Sequence, residues 1–412
     1  MNGLSESQRC EQDYIVHKEA SPKPVILVFT GYYLPGYKAG GILRNLINTV
    51  DFLCDTYEFK IVTRDRDLGD IAKYPGIEVD KWQWIGNAQV YYLSQGSETL
   101  GGIDKLVKET PHNILFLTSY FDPMTVKALI NRKIRLHDYQ TVIVAPFGEF
   151  AWASLSQKYI KKVIFIAIAR LFSLYKGVVW RVSSNYESED LVRVINPRKE
   201  FIRIVGDLPI KAEPDLTFQS DSLDAKPESS ELKIIFLSRI AREKNLNVAL
   251  MILQKVRVPV FFDIYGPTEN STYWSECQEL ITKLPVNVIA KYCGNVHPNK
   301  VLETFSHYDL FLFPTGGEAY GNVIAESLTA GTSVLVSTMT PWRNLKSDGL
   351  GWDIDLNNID AFAEVIESAF RQSVTQRLQI RNEVKKRVLE RLFDADILES
   401  NRRLFSNPDQ II

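Results

Sequence analysis

Two glutamates eight residues apart sit where the chain reads strand, loop, helix, strand. They are Glu318 and Glu326 in LFLFPTGGEAYGNVIAESLTAGTSVLVS, residues 310–337. Asn322 is placed to cap the helix start, and Gly331 to end it in a left-handed turn. Glu318 then lies in the loop before the helix and Glu326 about one turn inside it. That separation suits different jobs at the two ends of one ligand. Free backbone N–H groups around Tyr320, Gly321, Asn322 and Val323 make an anion site, reinforced by the helix dipole. A carboxylate on the helix can accept two hydroxyls of a ribose, while the loop carboxylate faces sugar hydroxyls. Taken singly, each glutamate is also an ordinary helix-entry charge.

A second group lies in SRIAREKNL, residues 238–246, directly after the strand-like LKIIFL, residues 232–237. Arg239 and Lys244 stand at the carboxyl end of that strand, where a phosphate is held if the crevice binds a nucleoside diphosphate. Arginine offers a forked donor set and lysine a compact point charge. Arg242 and Glu243 share the run, which by itself also fits a solvated charged loop.

These groups need a scaffold that brings strand ends together, and the chain predicts one. Strands are expected at 24–30 (PVILVFT), 59–63, 90–93, 114–118 and 141–145, with helical stretches such as 42–53 between several of them. Strands alternating with helices argue for parallel βαβ units. The pattern pauses after Ile204, and residues 211–231 are polar and rich in Ser, Asp and Pro, as a linker would be. A second series follows, with strands at 232–237, 260–265, 288–292, 310–314 and 333–337 and a helix at 247–256. The expected organisation is a polar lead (1–23), a first α/β domain (24–210), the linker (211–231) and a second α/β domain (232–385). Two doubly wound domains facing each other make a cleft at their strand ends.

Length and composition agree. A chain of 412 residues exceeds one core at roughly 150 residues per domain. Hydrophobic residues make up 45% and charged residues 24%, a globular mixture. Lys and Arg number 48 against 50 Asp and Glu, which disfavours a general nucleic-acid binder. The four cysteines are scattered without a C-x-x-C pair, so a disulfide scaffold or zinc ribbon is not expected and a reducing compartment fits. Neither G-x-G-x-x-G after the first strand nor G-x-x-x-x-G-K-[ST] occurs, which weakens dehydrogenase and P-loop kinase readings. The start lacks a basic region followed by an apolar run, so no secretory signal is expected. The apolar run 163–175 is too short to span a membrane and contains Arg170. Residues 157–176 carry Lys158, Lys161, Lys162, Arg170 and Lys176 with no acid, a pattern shared by a helix lying on an anionic membrane and by a core helix with a solvated basic end.

Together these stretches resemble the retaining glycosyltransferases of family 4, which have the two-domain GT-B fold. The likeness rests on Glu318–x7–Glu326 within PTGGEAYGNVIAESLTAG and on Arg239 with Lys244. It extends through IYGP (264–267), YWSEC (273–277), YCGNV (292–296) and TPW (340–342). PGYKAGGILRNL (35–46), TRDRDLGD (63–70) and APFGEFAWASLSQKYIKK (145–162) resemble the branch that builds bacterial capsules, O-antigens and exopolysaccharides. The resemblance implies that Arg239 and Lys244 bind the donor diphosphate, Glu326 the ribose and Glu318 the donor sugar. Backbone groups at Tyr320, Gly321, Asn322 and Val323 would line sugar and phosphates. Gly40 and Gly41 would let the first domain approach the diphosphate, Gly266 would also face the donor, and the turn of Gly294 and Val296 would lie beside the base. Tyr37, Lys38 and Glu149 are acceptor-side candidates. A C-terminal helix within 386–412 would pack back on the first domain.

The implied reaction moves a hexosyl or N-acetylhexosaminyl unit from a UDP- or GDP-sugar to a hydroxyl of a glycan, lipid-linked by preference, with retention. No metal and no cofactor are expected, because cationic side chains take the place of a divalent ion, and no nucleic acid is expected as a partner. A cytoplasmic protein is expected, at the inner face of the membrane if the basic helix docks there. The alternatives are a non-catalytic nucleotide-sugar-binding partner, or another GT-B activity such as an epimerase or an inverting transferase. Three departures stand out. Ser238 and Asn245 replace the glycines usual before the Arg and after the Lys, Phe147 replaces the Arg of a Pro-Arg-Gly, and no His occurs between Asp138 and Val296. The five histidines (17, 112, 137, 297, 307) are expected in surface or core roles, with Glu149 a possible substitute at the cleft.

Overall fold

A computed structural model describes residues 22–135, 141–210, 231–268, 270–392 and 395–406. All but the last residue of the expected linker, most of the lead, His17 and His137 lie outside the described residues. In the first domain the elements run β1 (Val25–Phe29), α1 (Gly41–Leu53), β2 (Glu58–Arg64), β3 (Trp82–Ile85), β4 (Ala88–Leu93), α2 (Leu100–Glu109), β5 (Ile114–Leu117) and α3 (Pro123–Arg135). They continue with β6 (Thr141–Val144), α4 (Trp152–Leu155), α5 (Tyr159–Leu171), β7 (Val179–Val182), α6 (Asn185–Val194) and β8 (Ile202–Ile204). The strands form one sheet in the order β3-β4-β2-β1-β5-β6-β7-β8, parallel except for β3.

The second domain runs β9 (Leu232–Leu237), α7 (Leu246–Leu253), β10 (Val260–Tyr265), α8 (Ser271–Ile281), β11 (Val288–Gly294), α9 (Val301–Ser306), β12 (Leu310–Phe313) and α10 (Asn322–Thr329). It ends with β13 (Ser333–Ser337), β14 (Gly351–Ile354), α11 (Ile359–Phe370) and α12 (Val374–Leu392), and α13 (Ala395–Ser406) follows. Its parallel sheet has the order β11-β10-β9-β12-β13-β14.

Central strands β1 and β12 are apolar throughout because helices cover both faces of their sheets. In β1 every residue from Ile26 to Phe29 is buried, and in β12 all four are. Two apolar clusters flank the first sheet, and one fills the second domain. Helix α12 belongs to the second core through Val384, Val388 and Leu392. Helix α13 instead places Leu404 and Phe405 in the first domain's core. Phe405 meets Tyr57, Phe59 and Phe116 edge-on, contacts worth about 0.5–1.5 kcal/mol each beyond area burial.

Strand order places the site. In the first sheet the chain leaves β1 toward β2, then returns to lay β5 on its other side; in the second it does the same with β10 and β12 around β9. At such a switch point the loops after neighbouring strands diverge to opposite faces and open a crevice at the carboxyl ends. The loop after β9 carries Arg239 and Lys244, and the loop after β12 carries Glu318. Across from them lie the loop after β1, residues 30–40, and the loop after β6, residues 145–151.

A candidate active site between the two sheets

A cleft of about 620 Å³ separates the two sheets and is lined from both domains. Arg239, Lys244, Glu318 and Glu326 all line it, as do Gly40, Gly41, Gly266, Val296, Tyr320, Gly321, Asn322, Val323, Tyr37, Lys38 and Glu149.

Local sequence explains the cationic loop. Residues 242–244 form one 3-10 turn, and Asn245 follows it in the left-handed region at φ 55°. Asparagine is among the side chains that tolerate that conformation, so Asn245 fills a position suited to glycine at small cost. Its side-chain amide also donates to Pro314 O at 3.0 Å, and Gly316 N donates to Glu243 O at 2.7 Å. These bonds tie the loop after β9 to the loop after β12. Lys244 Nζ consequently reaches Glu318 Oε1 at 2.6 Å, with Thr315 Oγ1 also donating to that oxygen at 3.2 Å. Arg239 Nη2 pairs with Glu243 Oε1 at 3.3 Å, and the carboxylate's other oxygen accepts from Gln157 Nε2 of the first domain at 2.6 Å.

The helix tip differs by one residue from the sequence expectation. Gly321, not Asn322, is the N-cap of α10, at φ 84° and ψ 59°. That conformation strains any side chain, and a Cβ there would approach Ile324 Cδ1 to 2.9 Å. Asn322 is therefore the first helical residue, and its amide points across the cleft to Gly41 O at 3.5 Å. The N–H groups of Asn322 and Val323 precede the first intrahelical bonds, which begin with Ile324 N and Ala325 N on Gly321 O. Glu326 is the fifth residue of the helix and is buried. Burial pushes its carboxyl above the usual range, and Arg44 opposes that shift. Arg44 Nε sits 3.1 Å from Glu326 Oε1.

On the first-domain side, Gly40 caps α1 at φ 69° and ψ −135°, a backbone conformation open to glycine. A Cβ on Gly41 would lie 3.5 Å from Asn322 Nδ2, so close approach there is to the opposite helix tip. Buried Asp67 holds the loop by accepting from Tyr37 N at 2.7 Å and Lys38 N at 3.2 Å, while Lys38 Nζ pairs with Asp70 at 2.5 Å. Glu149 lines the cleft but spends its carboxylate on Ser119 Oγ at 2.6 Å and Tyr120 N at 2.5 Å. Burial pushes it up to about 7, against the pull of these donors and of Lys162.

Residues 219–387 match the family model described as Glycosyl transferases group 1. A curated relative from Klebsiella pneumoniae, the "Uncharacterized 41.2 kDa protein in cps region", is 22% identical over 268 residues, which is 65% of this chain and 72% of its own. Among solved structures, WaaG, "a glycosyltransferase involved in lipopolysaccharide biosynthesis", aligns with a TM-score of 0.62 at 13% identity, over 93% of this chain and 100% of its own. HepE of Anabaena in complex with UDP and glucose gives 0.65 at 14% identity, over 92% and 98%. The chain has the GT-B fold.

Within this GT-B frame two expectations change. Gly294 does not line the cleft: it ends β11, and its carbonyl accepts from Gly266 N at 2.8 Å, so it shapes the turn that presents Asn295 and Val296. His297 does line the cleft, because it follows that turn at the crevice rim, where its ring lies 5.3 Å from that of Tyr37. His112 is half-buried, bonded to Thr110 O at 2.6 Å and held below the usual histidine range by burial. Phe147 stands at φ 46° with the Arg181 guanidinium 5.3 Å from its ring centre, and Arg181 pairs with cleft-lining Asp207 at 2.5 Å. Gly148 faces Ala319 so closely that a Cβ would reach its Cβ at 3.0 Å, and Ser183 Oγ donates to Ala319 O at 3.2 Å. Sequence reasoning missed Arg44, Arg181, Asp207 and Ser183. Arg44 carried one unused signal, its position one turn after the paired glycines.

Proposed function

We propose that the chain is a retaining glycosyltransferase that moves a hexosyl or N-acetylhexosaminyl unit from a UDP- or GDP-sugar to a glycan hydroxyl in surface polysaccharide assembly. One observation carries the reading: two cations, two carboxylates and a helix tip, from separate loops of a GT-B fold, line one cleft. The relatives point the same way. HepE is described with UDP and glucose, WaaG acts in lipopolysaccharide biosynthesis, and the Klebsiella relative lies in a cps region.

In this mechanism Arg239, Lys244 and the N–H groups of Asn322 and Val323 hold the diphosphate, Glu326 takes the ribose hydroxyls and Glu318 faces the donor sugar. The bond from the anomeric carbon to the phosphate oxygen breaks, and its electron pair leaves with the diphosphate. The acceptor oxygen bonds to the same face of that carbon, and its proton passes to the departing phosphate oxygen. Charge on the leaving group falls on preorganised donors. A separate base is not required, and the two side-chain cations serve in place of a divalent metal. Bonds across the cleft, such as Ser183 to Ala319, exclude water when the domains meet.

The acceptor side is proposed to rest on an anionic membrane surface. Helix α5 exposes Ile160, Val163, Ile164, Ile168 and Leu171, with Lys158 and Lys161 beside them. No helix of the described residues is long and apolar enough to cross a membrane.

The test is a transfer assay with UDP- and GDP-sugars and a lipid-linked acceptor, run in EDTA. Lys244→Ala and Glu326→Ala should each lose on the order of 10²–10³ in rate while keeping the fold. Full turnover by either variant would contradict the assignment.

A further inference from the structure

We infer that Arg44 is a positioning residue for the nucleotide, reaching from the opposite domain to clasp Glu326 and turn it toward the pentose, so that nucleotide binding is coupled to domain closure. The inference rests on the proposed reading of the cleft as a nucleotide-sugar site.

Arg44 is the fourth residue of α1, whose start is fixed by Gly40. From there the guanidinium makes two contacts with the second domain. Its Nε lies 3.1 Å from Glu326 Oε1 on α10, and its Nη2 donates to Pro298 O, after β11, at 3.5 Å. One side chain therefore links the helix expected to anchor the ribose to the loop expected to face the base. The pair is shielded, with side-chain exposures of 20% for Arg44 and 10% for Glu326. A carboxylate has about four lone-pair positions, so an arginine on one oxygen leaves room for two hydroxyl donors. Arg44 and a ribose can share Glu326 rather than compete for it.

The electrostatics favour this partner. Burial works against ionised Glu326, and Arg44 is the charged group that favours it. The other charges at the cleft are committed nearby: Glu318 from the loop before α10 is held by Lys244, Arg239 pairs with Glu243, and His297 bonds Asn299. Because Arg44 belongs to the first domain, its support reaches Glu326 across the cleft and depends on how the two domains meet. Removing one partner from a shielded pair leaves the other charge uncompensated.

Calorimetric titration of the full chain with UDP and with GDP, from pH 5 to pH 8, tests the inference. Ionised Glu326 is the form that accepts two hydroxyls, so wild-type affinity should fall toward acid. Arg44→Ala should weaken binding about tenfold near neutrality, a typical coupling between sites. It should also move the acid fall to higher pH, because Glu326 loses the cation that favours its charge. Arg44→Lys should recover part of both effects. In a Glu326→Gln background Arg44→Ala should change little, and that second cycle remains informative if the single variant proves unstable. Unchanged affinity and pH profile in Arg44→Ala would overturn the inference and leave the nucleotide reading standing. Tighter binding would overturn it too, by making Arg44 a competitor of the ribose. Failure of the wild type to bind either nucleotide would overturn both.

Discussion

Lys244, Arg239 and Arg44 each sit on an acid, respectively Glu318, Glu243 and Glu326. Under the proposed function, a diphosphate would meet cations already held in place by these acids, which would limit reorganisation on binding. Glu149 behaves differently, because burial holds its carboxyl near 7. The folded chain therefore keeps a proton there that the unfolded chain has released above about pH 4.3. Its contribution to stability is full below that value and is lost as pH rises through about 7. Glu149→Gln should remove on the order of 2 kcal/mol of this pH dependence, read from urea unfolding at pH 5 and pH 7.5. An unchanged slope would show that Glu149 titrates normally. The acids and cations of the second domain were legible in the sequence because their spacing is local: Lys244 lies five positions after Arg239, and Glu326 eight positions after Glu318. Arg44 was not legible, since its partner lies 282 positions away and only packing of α1 against α10 brings them together.

Among the elements, most strands were readable, including the four-residue β5, β6 and β12 and the largely unburied β11, whereas β3, β7, β8 and β14 were not. Strands β1 and β13 are largely buried runs of apolar and β-branched residues, and β2, β9 and β10 are dominated by such residues with at least half of each strand buried. Strand β7 is four residues long and includes Arg181, whose charge hides a fully buried strand until its partner Asp207 is seen. Strands β8 and β14 are three and four residues long and only partly buried. Strand β3 is the antiparallel edge beside β4, with Trp84 exposed, and so lacks a core-facing signature. Helix α5 has an unusual face, with Ile160 73% and Leu171 79% exposed. Lys162 does not share that face: its amine donates to Ser154 O at 2.6 Å and lies over the Phe121 ring. The informative reversal is therefore Lys158→Glu with Lys161→Glu. On vesicles containing phosphatidylglycerol, co-sedimentation of that variant should fall severalfold, since each basic residue contributes about 1 kcal/mol near an anionic surface. Binding that ignores the reversal would remove the membrane surface from the account.

At the scale of the molecule, two sheets with the same switch in strand order face each other, and bonds from several elements cross between them. Ser183 and Ser184 reach Ala319 O, Gln157 reaches Glu243, and Asn322 reaches Gly41 O. Ala319 lies between Glu318 and Tyr320, so the first domain grips the segment that carries the loop acid. Helix α13 ties the chain's end to the first core through Leu404 and Phe405. The first domain thus contacts Ala319 beside Glu318, and Glu326 through Arg44. The most direct measurement is a crystal structure of the protein with UDP or GDP bound. The account predicts the diphosphate within hydrogen-bond reach of Arg239, Lys244 and the N-terminus of α10, with both ribose hydroxyls on Glu326. A nucleotide lodged outside the inter-sheet cleft, or one whose pentose lies away from Glu326, would contradict it.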